Sequence, residues 1–109
     1  MSDRKYGNVP TDVDGYTFAS RAEARRYGEL ALLLRAGAIT DLTVHPRWPL
    51  HVNGVKVATY IADFAYSDVK TGALVCEDVK SEPTKTALYR IKKKLMMAVH
   101  GIVIVEIDT

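Results

Sequence analysis

Residues 73–80 read Ala73-Leu74-Val75-Cys76-Glu77-Asp78-Val79-Lys80, an apolar run that turns charged at its end. Side chains alternate faces along a strand. Leu74, Cys76, Asp78 and Lys80 therefore share one face, and Val75, Glu77 and Val79 share the other. A carboxylate and an amine stand side by side at the end of a core strand. The segment before it, Tyr60-Ile61-Ala62-Asp63-Phe64-Ala65-Tyr66, sets one acid among apolar residues, and Ser67 to Gly72 is the turn between the two. In an antiparallel pair Asp63 comes near Asp78. Two carboxylates in a partly dry place repel each other and need a compensating charge. A hard divalent cation with oxygen ligands supplies it, with Lys80 beside. Acid-x-Lys is a common tripeptide, however, and on spacing alone a structural ion pair at a strand end is the commoner reading.

Working outward, Asn53-Gly54 is a strong type I′ hairpin signal. It joins Val55 to Tyr66 to a preceding strand, Ile39 to Val44, interrupted by His45-Pro46 and resumed from Trp48 to Val52. Pro46 and Pro49 mark that strand as bent or at a sheet edge. These three strands are expected to form an antiparallel meander. Before them, Ser20-Arg-Ala-Glu23 is a capping box. Its helix carries Tyr27, Leu30, Ala31 and Leu34 on one face, turns Arg25, Arg26 and Glu29 away, and stops at Gly37. Asp14-Gly15 suggests a small hairpin or hooked arm. After Pro83, Thr84 or Thr86 caps a second helix to about His100, with Leu88, Ile91, Leu95, Ala98 and Val99 as its apolar stripe. Gly101 ends it, and Ile102 to Ile107 is a last, mostly buried strand.

The expected class is thus α/β: a mixed four-stranded sheet flanked by helices in the order αβββαβ. It forms one domain over residues 1–109, with residues 1–17 as an arm and 18–109 as the core. The chain has 109 residues, 48% of them hydrophobic, and a net charge of +2. Its charge is unevenly spread. Lys80, Lys85, Arg90, Lys92, Lys93 and Lys94 face one acid, Glu82, in one segment, and Arg21, Arg25, Arg26 and Arg35 form a second group. Such clusters suit a phosphate-tracking face or a solvated lysine-rich helix. No apolar run approaches the roughly 20 residues of a membrane span, and the polar start Met1-Ser2-Asp3-Arg4-Lys5 leads into no signal core. Cys76 stands alone, which suits a reducing cytoplasm and a core role. His45, His51 and His100 are too scattered for a zinc site. Trp48 is either packing or an exposed base-stacking residue.

Asp63, then Glu77-Asp78-Val79-Lys80, then Tyr89-Arg90-Ile91-Lys92-Lys93-Lys94 resembles the PD-(D/E)xK nuclease superfamily. More narrowly the chain resembles the small phage-encoded endonucleases first described as a domain of unknown function, DUF1064. That likeness runs from Lys5 to about Glu106 and takes in Lys5-Tyr-Gly-Asn8, Asp14-Gly15, Phe18-Ala-Ser20, Glu23-Ala-Arg-Arg-Tyr27 and Tyr60-Ile-Ala-Asp63-Phe64. It implies a restriction-endonuclease-like core and a Mg2+-dependent DNA endonuclease, with Mn2+ able to substitute. Asp63, Asp78 and the Val79 carbonyl would hold the metal, and Lys80 would be the catalytic lysine. Glu23 would be an additional acid at the metal, although it is also the capping-box residue. Lys5, Tyr89, Arg90, Lys92 and Lys93 would contact DNA, with Tyr6 and Asn8 possible neighbours in the arm. His45 falls where the family often has a polar residue near the site. The motif's proline is Ala62 here, and its second acid is Asp rather than the commoner Glu. Glu77, on the opposite face, would support the site, contact a dimer partner or face solvent. Branched or nicked DNA in a host cytoplasm, cut by a monomer or a homodimer, is the implied setting. A non-catalytic nucleic-acid-binding protein on the same fold is the alternative.

Overall fold

A computed structural model describes residues 9–108. Strands β1 (Thr11–Val13) and β2 (Tyr16–Phe18) form a small hairpin around Asp14-Gly15, both with positive φ. Helix α1 (Arg21–Arg35) follows. Then come β3 (Ile39–Val44), β4 (Arg47–Val52), β5 (Val55–Ile61), β6 (Phe64–Asp68) and β7 (Leu74–Lys80). A 3-10 turn (Glu82–Thr84) leads to α2 (Ala87–Leu95), a π-helical turn (Met96–His100) and β8 (Ile104–Asp108).

The result is an α/β fold with a mixed four-stranded sheet, ordered β3-β6-β7-β8. Pairs β3/β6 and β6/β7 are antiparallel and β7/β8 is parallel. A parallel pair needs a crossover, which α2 supplies. One sheet face packs Phe64, Tyr66 and Ile39 against Phe18, Ala24 and Leu30 from the α1 side. The other packs Cys76 and Ile104 against Tyr89 and Met96, with Leu50 and Tyr60 from β4 and β5. Trp48 packs against this second cluster. Among the described residues no helix is long and apolar enough to cross a membrane.

Two expectations are corrected. The expected meander of three strands is five. The ribbon from β3 through β6 is kinked at His45-Pro46 on one side and Ala62-Asp63 on the other, and β4 and β5 leave the sheet as a separate hairpin around Asn53-Gly54. Two backbone hydrogen bonds cross the kink: His45 N–H to the Asp63 carbonyl at 2.9 Å, and Ala62 N–H to the Pro46 carbonyl at 3.1 Å. Pro46 has no N–H for a continuous ladder, and His45 sits in the left-handed region at φ 54°.

The second correction concerns the first turns of α2: Leu95 and Val99 of the expected stripe do pack against the core, but Leu88 and Ile91 do not. Leu88 and Ile91 are 62% and 57% exposed, whereas Tyr89 and Met96 are buried. The sheet beneath the first turns of α2 carries Glu106, which Leu88 and Ile91 could not satisfy. Tyr89 and Lys93 can: the hydroxyl donates to Glu106 at 2.7 Å and the amine at 3.0 Å. Glu106 is only partly covered, and the two cations, Lys85 and Lys93, and the hydroxyl meet it while Leu88 and Ile91 are left to solvent.

Candidate functional site

The β6/β7 ladder ends at the Phe64–Glu77 pair. Just beyond it, one residue before Phe64 and two after Glu77, the backbone N–H groups need other acceptors, and two carboxylates serve. Asp63 N–H donates to Asp78 Oδ1 at 2.7 Å, and Val79 N–H donates to Asp63 Oδ2 at 2.7 Å. Each acid thus fixes the other's strand. The Tyr60 hydroxyl donates to Asp78 Oδ2. Asp78 is buried, and Asp63 is partly so.

Glu23 reaches this place from α1. The Ser20 hydroxyl accepts from Glu23 N–H at 3.1 Å, as an N-cap should. Glu23 Oε1 accepts from Ala19 N–H at 3.1 Å, one residue upstream of the capping-box partner. Its other oxygen, Oε2, meets His45 Nε2 at 2.8 Å. One carboxylate therefore serves both the cap and the cluster. Donor atoms of Glu23, His45 and Asp63 all lie within 4.8 Å of one another.

Burial, the Asp78 carboxylate and Glu23 push Asp63 up to about 8, against the pull of the Val79 N–H and Lys80. Burial also raises Asp78, opposed by the Tyr60 and Asp63 hydrogen bonds and by Lys80. The Lys80 ammonium lies 4.3 Å from the centre of the Tyr89 ring, a cation–π contact that holds it beside both acids. Asp78 and Lys80 line a cleft of about 220 Å3 with Tyr60, Thr59, Leu88 and Lys92. Glu23, His45 and Asp63 fit a divalent cation: two of the three donors are hard oxygens, and their negative charge, with Asp78 interlocked behind Asp63 at the edge of the cleft, asks for compensation.

An acid whose folded pKa is raised favours the folded state while protonated. That stability is full below the unfolded pKa of roughly 3.9 and is lost as pH rises through the folded value. The protein held in chelator should therefore melt at a lower temperature at pH 9 than at pH 5.5. Asp63→Asn, which keeps an acceptor for Val79 N–H, should flatten the slope. Thermal melts across this range check it; an unchanged slope in the variant would refute the assignment.

Other expected site residues fall in different places. Tyr89 is turned inward onto Glu106. Lys92 donates to the Thr59 carbonyl at 3.1 Å, which leaves its stem along the cleft. Lys93 and Lys85 both pair with Glu106, which the Tyr89 hydroxyl and these amines hold down at about 2. Arg90 remains exposed. Val79 takes part through its N–H. Lys5, Tyr6 and Asn8 lie outside the described residues.

Glu77, fully buried on the other face, forms a two-point pair with Arg26: Nε to Oε1 at 2.7 Å and a second guanidinium nitrogen to Oε2 at 2.9 Å. The Tyr66 hydroxyl adds 2.7 Å to the same oxygen. Glu77 therefore faces neither solvent nor a dimer partner, and Arg26 belongs to the packing of α1 rather than to a free basic face. Sequence reading underweighted His45 and missed Tyr60. A histidine before a proline at a strand break was the one available signal for the first. Nothing in the spacing of Tyr60 and Asp78 marked the second.

A family model described as "Protein of unknown function (DUF1064)" matches residues 3–105. No curated protein and no solved structure matches the chain.

Proposed function

This chain belongs to the DUF1064 family, and we propose that it is a divalent-metal-dependent DNA endonuclease of the PD-(D/E)xK type that hydrolyses phosphodiester bonds. The observation that carries this reading is the interlocked pair Asp63 and Asp78 at the end of the β6/β7 ladder, with Glu23 and Lys80 beside it. Asp63, Asp78 and Glu23 would hold Mg2+ or Mn2+, with the Val79 carbonyl as a further oxygen. When bound, such an ion supplies Lewis-acid activation of the phosphate and of the attacking water.

The protein's own groups do the rest. Val79 N–H and Asp63 N–H orient the two carboxylates. The Tyr60 hydroxyl fixes the outer oxygen of Asp78. Lys80, steadied on Tyr89, presents a positive charge where a scissile phosphate gains negative charge. Lys80 and Lys92 line the cleft, and Arg90 and Lys94 extend positive charge along α2. Contacts of this sort position a backbone without reading its sequence. The same reading takes the substrate as branched or nicked DNA, the gene as phage or prophage encoded, and the setting as a host cytoplasm. Cutting both strands is easiest for a symmetric pair of copies.

The test is a panel of labelled junction, flap, nicked, duplex and single-stranded DNA incubated with Mg2+, Mn2+ or chelator. Cleavage that chelator abolishes is expected. Salt-sensitive binding with no cleavage under any metal would instead favour a non-catalytic nucleic-acid-binding protein.

A further inference from the structure

We propose that His45 is a direct ligand of the metal at this site, and that its nitrogen makes the site prefer Mn2+ to Mg2+. This rests on the metal-dependent reading above.

Three features place His45. Its Nε2 is 2.8 Å from Glu23 Oε2, and both converge with an Asp63 oxygen inside 4.8 Å. Its backbone is tied to Asp63 itself, N–H to carbonyl at 2.9 Å, so the two residues hold a fixed separation across the kink. Its ring packs on the buried Phe18 ring, with centroids 5.8 Å apart. The partners are equally constrained: Ala19 N–H anchors Glu23 Oε1 and Val79 N–H anchors Asp63 Oδ2. Each residue is thus held in place by the fold through a backbone hydrogen bond. Both oxygens of Asp78 already accept hydrogen bonds from the protein.

Solvent reaches the group from the histidine side, where the His45 side chain is 39% exposed against 6% for Glu23. A cation held by Nε2 and Oε2 takes the place of the proton that they share. Mg2+ demands oxygen ligands and near-ideal octahedral geometry. Imidazole suits the transition metals better, and Mn2+ also accepts the carboxylates that remain. A purely oxygen site would show a smaller preference of the same sign.

The competing account is that Glu23–His45 is only an ion pair joining α1 to the end of β3. His45→Gln separates the two, because its amide can still donate to Glu23 while the nitrogen ligand is gone. Calorimetric titration of the full chain with Mn2+ and with Mg2+ should show tighter Mn2+ binding. In the variant that preference should fall by about 10- to 100-fold, the scale of losing one supporting group at a metal site. Pulsed EPR of Mn2+ bound to the unmodified protein should show coupling to a 14N nucleus, a readout that needs no variant to fold. His45→Gln should remove it, which also excludes His51 and His100 as its source. Bound Mn2+ without 14N coupling, or an unchanged metal preference in the variant, would overturn the ligand role and leave the nuclease reading standing. No binding of either metal would overturn both.

Discussion

Asp78→Asn and Lys80→Met should each lower DNA cleavage by about 10^2- to 10^3-fold, the scale of removing one group that stabilises charge in a transition state. Both should leave the fold intact. Asparagine is the informative replacement at position 78. Alanine would strand two donors, the Tyr60 hydroxyl and Asp63 N–H, at roughly 1–3 kcal/mol each, and so mix stability with chemistry. Asparagine keeps an acceptor of the same shape and removes the charge that a cation needs. Methionine at position 80 keeps an unbranched side chain of similar length and removes the ammonium that lies over Tyr89. Rates on the best substrate of the panel, measured with thermal melts of the same samples, give the result. Full activity in either variant with an unchanged melting temperature would remove that residue from the cleavage machinery and end the assignment of this site as the cleavage centre.

One residue away the expected effect is of the other kind. Glu77→Ala should destabilise the protein by about 3–5 kcal/mol, because it takes the two-point partner from a largely covered Arg26 and leaves it only the exposed Glu29 carboxylate. The Tyr66 hydroxyl loses its acceptor in the same step. For a domain of this size that is on the order of 15 °C or more in melting temperature, and a large fraction of a typical stability of about 5–15 kcal/mol. Replacing both partners at once, Arg26→Met with Glu77→Leu, should recover much of the loss, since a buried ion pair is often matched by apolar residues of similar volume. Denaturant unfolding of the two single variants and the double variant completes the cycle. If Glu77→Ala unfolds within about 0.5 kcal/mol of the parent, the scale of a surface substitution, the buried pair is not the anchor described. Neighbours in sequence should thus divide cleanly, Glu77 governing stability and Asp78 activity, because the strand turns them to opposite faces.

The opposite facing of the two residues was legible in the sequence, since alternation along β7 needs only the order of its residues, but the burial of Glu77 on Arg26 was not. Local signals read well for the same reason. Asp14-Gly15 and Asn53-Gly54 turn their hairpins, Ser20 caps α1, Thr86 caps α2, and Gly101 closes the second helical segment with φ 69°. Each of these depends on a few adjacent residues. What failed to read depends on partners far along the chain. Arg26 lies 51 residues from Glu77, so a helix wheel sends it to solvent. The face of the first turns of α2 was misjudged because apolar periodicity assumes an apolar partner, and under Tyr89 and Lys93 the sheet presents Glu106. Period-two alternation also continues unbroken through a change of strand direction, which hid the departure of β4 and β5. The candidate site followed the same rule. Asp63, Asp78 and Lys80 come from two adjoining strands and could be placed together, whereas the nearness of Glu23 and His45 depends on how α1 lies across the sheet.

The kink at His45-Pro46 and Ala62-Asp63 can also be seen as a fulcrum. The β4–β5 hairpin is a lever arm about 20 Å long, at roughly 3.3 Å per residue over six residues. Its far end turns at Asn53-Gly54, and its pivot carries His45 on one strand and Asp63 on the other. Leu50 and Tyr60 seat the arm against Tyr89 and Met96, so that packing sets the angle at the pivot. A small loss of seating would change that angle and re-aim the His45 and Asp63 side chains while every pair of the four-stranded sheet stayed in register. Damage to the hairpin should therefore disable the site well before it unfolds the protein.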